Sequence, residues 1–438
     1  MPGHSLAQLR SSNLRAITAL LGSTGPQSRA DLARGSGLSR TTVSSLVTEL
    51  LENGLVVETE DRGTPHKGGS GRPPLLVALA IRPGGVAGVD IGHRHVRVAV
   101  SDRSAKILAE VETQTDADPH GSATLDIAAD LVRRAADEAG VPATELLMVG
   151  LCVPAPIDRR SARVDHAVLP GWHELAPADE LSARIGLPVV VDNDANLGAM
   201  AEHQHGAGRG AADLLYVKLA SGVGAGLVLG GRLHRGATGL AGEVGHVLAR
   251  EGGDICRCGS RGCLETEVST RRLLETLRPV YSEDLDLPEL LKLDADGETA
   301  VRRLLTDAGH TVGRVLAGLC TTLNPARVVV GGSLGASPTL VAAIRNGVDR
   351  YAHPEAAASC EVVSGRFGGR AELIGSLALA ISRAGRATRS DPRSARPARP
   401  GRRAVGRRSR QSRRTPRRRP DAPVARSRRR RPSAHGRR

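Results

Sequence analysis

Aromatic side chains are nearly absent: the 438 residues include one Phe, one Trp and three Tyr. The core must therefore be aliphatic, and a chain of this length has material for two or three domains. Long apolar runs are absent as well. No stretch approaches the roughly 20 residues that span a bilayer. No charged start is followed by an apolar segment either, so a membrane partner is excluded and the chain reads as soluble and cytoplasmic. Lysine is scarce, since 57 of the 61 basic residues are Arg. Acidic residues are scarce only at one end. From Arg386 to Arg438 there are 22 Arg against Asp391 and Asp421, a charge of +20, so the total of +15 leaves −5 on residues 1–385. The basicity belongs to a tail, and the rest of the chain is mildly acidic.

What is present begins with helical periodicity over residues 1–80: Leu14, Ile17 and Leu21 on one face, then "SRADLARGSGLSRTTVSSLVTELLENGLV". The segment "RGSGLS" separates two short helices, with Gly35 and Gly37 as the turn and Ser39 as N-cap of the next helix. In that helix Val43, Leu46, Val47 and Leu50 form the buried face. Ser39, Arg40, Thr41, Thr42 and Ser44 then gather at its N-terminal end, where short polar side chains and one Arg suit entry into a major groove. A polar strand "VETE", a basic tip "DRGTPHKGGSGRPP" containing Arg72, and an apolar strand "LLVALA" complete a winged helix-turn-helix. Operator DNA is the implied partner. The alternative is a three-helix protein-interaction module whose exposed Ser and Thr read nothing.

Residues 81–385 change to an α/β pattern. "GGVAGVDIGHRHVRVAVSD" reads as strand, turn, strand, and "ADLLYVKLASGVGAGLVLGGRL" repeats that plan further on. Helices such as "ATLDIAADLVRRAADEAG" and "AVRRLLTDAGHTVGRVLAGLC" alternate with strands such as "LPVVVD" and "RVVVGG". Two related lobes, each opening with a hairpin, enclose a ligand cleft. Residues 386–438 are Arg, Pro, Ser and Ala with little to bury, and read as a disordered tail. It is either a salt-sensitive DNA-binding arm or an extension without a selected role, a frameshift product included.

Half of the six cysteines lie within eight residues: Cys256, Cys258 and Cys263, with His246 ten residues upstream. In a reducing compartment such a C-x-C-x4-C cluster favours metal over disulfide. Four N and S ligands in a glycine-rich loop (246–265) suit structural Zn2+. Cys152, Cys320 and Cys360 sit in apolar segments and read as core.

"GLAGEVGHVLAREGGDICRCGSRGCLE" resembles the signature of the ROK family, which groups sugar-responsive repressors and sugar kinases on an actin-like (ribonuclease H-like), two-lobed fold. The resemblance covers about residues 12–380, with "VDNDAN", "GLAGEVGH", "CRCGSRGCLE" and "VVVGGSL" in the family's order. It implies that Asn193, Asp194, Glu243, His246 and Glu265 contact sugar hydroxyls, and that Asp194 is the general base in the kinases. His246 would then turn one ring nitrogen to zinc and the other to the sugar. Carboxylates, an amide and an oriented imidazole are also what recognises vicinal hydroxyls on chemical grounds alone.

The nucleotide side separates the two branches. The kinases open with Asp-x-Gly-Gly-Thr, which brings backbone N–H groups to ATP phosphates. In "DIGHRH" Asp90 and Gly92 remain while His93 and Arg94 fill the next positions and should obstruct phosphate. A second loop, "LASGVGAG" with Ser221, Gly222 and Gly224, is better kept, as are Gly331 and Gly332. A damaged ATP loop beside an added DNA-binding domain points to a non-catalytic, sugar-sensing transcriptional regulator, as a homodimer or tetramer, with a sugar or sugar phosphate as effector. The alternative is a sugar kinase that uses ATP and Mg2+.

Overall fold

The computed structural model describes residues 6–52, 55–62, 75–79, 84–164, 169–172 and 175–390. Arg72 with the wing tip, the junction at residues 80–83, and the tail beyond residue 390 lie outside the described residues.

The N-terminal part comprises α1 (Leu6–Thr24), β1 (Gln27–Ser28), α2 (Arg29–Ser36), α3 (Arg40–Glu52), β2 (Val56–Arg62) and β3 (Leu75–Leu79). Ser28 starts α2 through a capping box with Asp31, and Gly37 ends it in the left-handed region with φ 70°. The sequence reading of Gly35 as part of the turn is corrected here. Gly35 is inside α2, and a Cβ on it would lie 2.7 Å from the Leu20 side chain; it is glycine because α1 crosses there. Ser39 caps α3 as expected, its Oγ accepting from Thr42 N at 3.1 Å. Val43, Leu46, Val47 and Leu50 pack with Leu14, Ile17, Leu21 and Leu32 into one aliphatic cluster closed by Val56 and Val77. The three strands form an antiparallel sheet in the order β1-β3-β2, the base of a wing.

The first lobe contains β4 (Val86–Ile91), β5 (His95–Ser101), β6 (Ile107–Gln114), α4 (Gly121–Glu138), β7 (Val149–Val153), α5 (Pro177–Ile185), β8 (Val189–Asn193) and α6 (Asp194–His205). The second contains β9 (Leu214–Leu219), β10 (Val223–Leu229), β11 (Arg232–His234), α7 (Leu264–Val268), α8 (Thr270–Leu277), α9 (Leu287–Ala295), α10 (Thr299–Leu323), β12 (Arg327–Gly331), α11 (Pro338–Tyr351), α12 (Pro354–Ser359) and β13 (Glu361–Ser364). A last helix, α13 (Ala371–Ser390), follows. The two five-stranded sheets have equivalent orders, β6-β5-β4-β7-β8 and β11-β10-β9-β12-β13. In each, the first three strands are antiparallel and the last two join in parallel. The repeated hairpin plan of the sequence is thus a repeated lobe.

Each sheet has its own aliphatic core. In the first lobe β4 is buried along its whole length, and Trp172 fills the space under α4 while donating Nε1–H to the carbonyl of Ala117 at 2.8 Å. In the second, α10 and α11 cover β9 and β12. Cys152, Cys320 and Cys360 are buried, as expected of core thiols. Helix α13 returns to the first lobe, where Leu373, Leu377, Ala380 and Ala384 pack on Val86, Ala99 and Met148. Among the described residues no helix is long and apolar enough to cross a membrane.

Candidate functional site

Strand β8 ends in Asp192 and Asn193, and the next residue starts α6. This strand-to-helix turn places carboxylates at a helix N-terminus, where the macrodipole favours them. Asn193 caps α6, its Oδ1 accepting from Asn196 N at 2.8 Å, which leaves its amide N–H2 for a ligand. Asp194 Oδ1 accepts from Ala195 N at 2.7 Å, and its Oδ2 accepts from Lys218 Nζ at 2.7 Å. Behind them Asp192 is buried and held by Asn196 Nδ2 at 2.9 Å and by Arg235 Nε at 2.7 Å.

The facing wall comes from the second lobe. Glu243 and His246 flank a short helical turn, with His246 Nε2 3.8 Å from Glu243 Oε2. Glu265, in the first turn of α7, accepts from Val223 N at 3.0 Å and so fixes the start of β10. Asn193, Asp194, Lys218, Glu243, His246 and Glu265 line one cavity together with Ser221, Gly222 and Gly224. All five residues expected to contact sugar are therefore brought together.

Behind this wall His246 turns Nδ1 to within 3.5 Å of Cys256 Sγ. The ligand atoms of His246, Cys256, Cys258 and Cys263 all lie within 4.8 Å of one another. Cys258 Sγ and Cys263 Sγ are 3.7 Å apart. That is too long for a disulfide and matches the tetrahedral edge of about 3.8 Å that Zn–S bonds of ~2.3 Å generate. Burial, with hydrogen bonding among the crowded sulfurs, pushes the Cys263 thiol up to about 12; a bound cation would reverse that preference and hold thiolates. The donor set fits a metal.

A larger cavity of about 670 Å³ adjoins the first and shares Lys218, His93, Ser221 and Arg257 with it. Asp90, Gly92, Arg94 and Gly332 also line it, and Gly331 ends β12 beside them. His93 and Arg94 line it too, with His93 Nδ1 2.6 Å from Oδ1 of Asp118, another lining residue, and Arg94 exposed. The ring that covers Gly92 is that of His95, which sequence reasoning passed over: a Cβ on Gly92 would lie 2.2 Å from it. His95 Nε2 also lies 3.2 Å from Asp90 Oδ2. Burial raises the Asp90 pKa, but the His95 hydrogen bond and the charges of His95, Lys218 and Arg97 outweigh it and hold the group below its ordinary value. Lys218 and Glu372 were missed too. The only local signal for Lys218 is a lone charge inside the apolar strand "LLYVKLA", and Glu372 gives none.

At the other end of the chain Ser39, Arg40, Thr41 and Ser44 are exposed at the start of α3, and Thr42 is half-buried. Ser39 Oγ lies 2.8 Å from both Thr41 Oγ1 and Thr42 Oγ1.

Comparisons with known proteins accord with this anatomy. Residues 14–60 match the IclR helix-turn-helix domain. A putative xylose repressor of Caldicellulosiruptor sp. is 30% identical over 317 residues, 69% of this chain and 78% of its own. A glucokinase of Halalkalibacterium halodurans is 31% identical over 304 residues, 66% of this chain and 92% of its own. The crystal structure of a ROK family transcriptional regulator, a homologue of the Escherichia coli MLC protein, superposes with a TM-score of 0.69 over 86% of this chain and 96% of that one, at 23% identity, and so shares the fold. Residues 86–383 match the ROK family, and on that match, with the paired sheets and the cleft between them, the chain belongs to the ROK family.

Proposed function

We propose that this chain is a sugar-responsive, DNA-binding transcriptional repressor. The observation that carries the reading is the presence, in one chain, of an exposed polar α3 N-terminus and a cavity lined by Asn193, Asp194, Glu243, His246 and Glu265, beside a loop in which His93 and Arg94 line the adjoining cavity. Residues 1–80 read DNA through Ser39, Arg40, Thr41, Thr42 and Ser44 in the major groove, with Arg72 on the wing. Residues 81–385 bind the effector through Asn193, Asp194, Glu243, His246 and Glu265. Zn2+ on His246, Cys256, Cys258 and Cys263 fixes the loop that carries the facing wall; closed by four protein ligands, it has a structural role. A homodimer or tetramer presents two α3 helices to an inverted repeat. Closure on the sugar favours one arrangement of those helices over another and so changes the affinity for the operator.

The kinase reading draws support from the similarity to a glucokinase. It requires Asp194 to accept a proton from a sugar hydroxyl, and Lys218 already donates to that carboxylate. The test is binding of the full chain to its own upstream DNA at moderate salt, with and without xylose, glucose, N-acetylglucosamine and their phosphates, followed by incubation of each sugar with MgATP. Specific binding altered by one sugar, without sugar phosphate formation, is the expected result. Sugar phosphate formation that depends on Asp194, without DNA binding, would replace the reading with the kinase.

A further inference from the structure

The loop that runs from β11 to the Val244–His246 turn belongs to the second lobe but is seated on the first. Arg159 N donates to the carbonyl of Thr238 at 3.0 Å, and Arg159 Nη1 donates to that of Gly236 at 3.3 Å. Gly239, with φ +112°, comes so close that a Cβ on it would lie 2.2 Å from the Ile157 carbonyl oxygen. Ile157 directly follows Pro154, Ala155 and Pro156, which line the cavity proposed to take the sugar. On its own lobe the loop is docked by Ala225 N, which donates to Gly242, and its ends are tied by Ala241 N, which donates to the Arg235 carbonyl at 3.2 Å.

Arg235 stands at the start of this loop. Its guanidinium donates to Asp192 Oδ2 through Nε at 2.7 Å and through Nη2. Asp192 Oδ1 accepts from Asn193 N and from Asn196 Nδ2, both at 2.9 Å. One buried carboxylate therefore serves two partners on each oxygen, and the guanidinium supplies the charge without which its burial would be costly. Oδ1 faces the turn that presents Asn193 and Asp194 to the cavity, and Oδ2 faces the loop that leads to Glu243 and His246. A carboxylate is planar and rigid, so its two oxygens cannot move independently: a shift of Arg235 is passed on to the backbone of Asn193. Arg235 itself does not line the cavity.

We infer that Arg235 is a positioning residue of the effector site: through Asp192 it couples the wall that bears Asn193 and Asp194 to the loop that bears Glu243, and so sets the affinity for the sugar. The clause on affinity rests on the effector reading; the coupling of the two walls does not, and it is tested separately.

The experiment compares the full-length, zinc-loaded wild type with Arg235→Gln, Arg235→Lys and Asp192→Asn. Amide hydrogen exchange without sugar, followed by mass spectrometry, reads segments 189–200 and 235–246, with 327–331 as internal control. Arg235→Gln is expected to exchange about tenfold faster in both segments and unchanged in the control. Arg235→Lys, which restores the charge, recovers part of the protection, a rescue that mere loosening of the fold would not give. Titration with xylose, glucose and N-acetylglucosamine is then expected to show the dissociation constant of whichever sugar the wild type binds raised about tenfold or more in Arg235→Gln, and partly restored in Arg235→Lys. Folded Arg235→Gln with the exchange and sugar affinity of the wild type overturns the inference, and so does faster exchange in 235–246 with 189–200 unchanged. If Arg235→Gln does not fold, Asp192→Asn decides: faster exchange in both segments supports the coupling, and wild-type exchange in 235–246 overturns it. A wild type that binds none of these sugars tells against the effector reading and the affinity clause together, while the exchange of the two segments still decides the coupling.

Discussion

Gly242 immediately precedes Glu243 in the wall of the cavity proposed to take the sugar and has φ +103°, a region that L residues rarely adopt. Its carbonyl accepts from Ala225 N at 2.8 Å, which docks the loop on β10. A Cβ at this position would lie 1.9 Å from the Ala225 carbonyl oxygen, a backbone atom that cannot rotate aside. In Gly242→Ala the loop must therefore retreat by about 1 Å, at a cost of about 1–3 kcal/mol for the backbone strain and ~1 kcal/mol for the weakened hydrogen bond. Glu243 and His246 move with it, and a displacement of ~1 Å in a positioned contact weakens recognition by up to about 100-fold. Isothermal titration with the effector sugar should show the dissociation constant raised about 10–100-fold, while effector-free operator binding, which depends on α3, stays within about twofold. Gly230→Ala serves as control: its φ is +58°, nothing lies within 4 Å of the added carbon, and it is outside the cavity. Gly242→Ala that binds sugar as tightly as Gly230→Ala would refute the reasoning.

Arg40→Ala should weaken operator binding by about 1–3 kcal/mol if Arg40 reads a base edge, leaving sugar affinity unchanged; fluorescence anisotropy against operator and scrambled DNA distinguishes base from phosphate contact. Cys258→Ser with His246→Ala should abolish stoichiometric zinc, measured by metal analysis, and lower the melting temperature of the sensor part; full zinc retention would show the ligand set is wrong. Asp90 is held below its ordinary pKa, so its stabilising effect is present above about pH 4 and is lost as the pH falls through the depressed folded value. The melting-temperature gap between wild type and His95→Gln should therefore close progressively as the pH falls below about 4; a gap that widens below that pH contradicts the assignment.

What could be read from the sequence was set by short-range physics. The Ser39 cap, the left-handed Gly37, the face of Val43, Leu46, Val47 and Leu50, and the Cys256–Cys258–Cys263 spacing depend on residues a few positions apart. The five residues expected around the sugar converge because each sits at a strand end, a helix start or a short turn whose motif could be recognised. The rest depended on topology. Lys218 meets Glu372 across more than 150 residues, and Arg235 meets Asp192 across 43; alternation along a strand shows that such a charge is anomalous but not what neutralises it. Gly35 was misread because its reason is the crossing of α1 above it, which local turn chemistry does not contain. His95 lies on the hairpin that the sequence did show, but the direction of its ring was settled by Asp90.

Helix α13 has a consequence for how the molecule is made. The first lobe has all its strands by Asn193, yet the side chains that cover Val86, Ala99 and Met148 run from Leu373 to Ala384. At about 5–20 residues per second a ribosome needs about 10–40 s to cover that distance. Through that interval one apolar face of the first sheet waits while the entire second lobe is synthesised and folds. The lobe nearest the DNA-binding domain in sequence is thus the first to leave the ribosome and the last to close, and a chain cut short before Ala371 would lose the lobe that was made first.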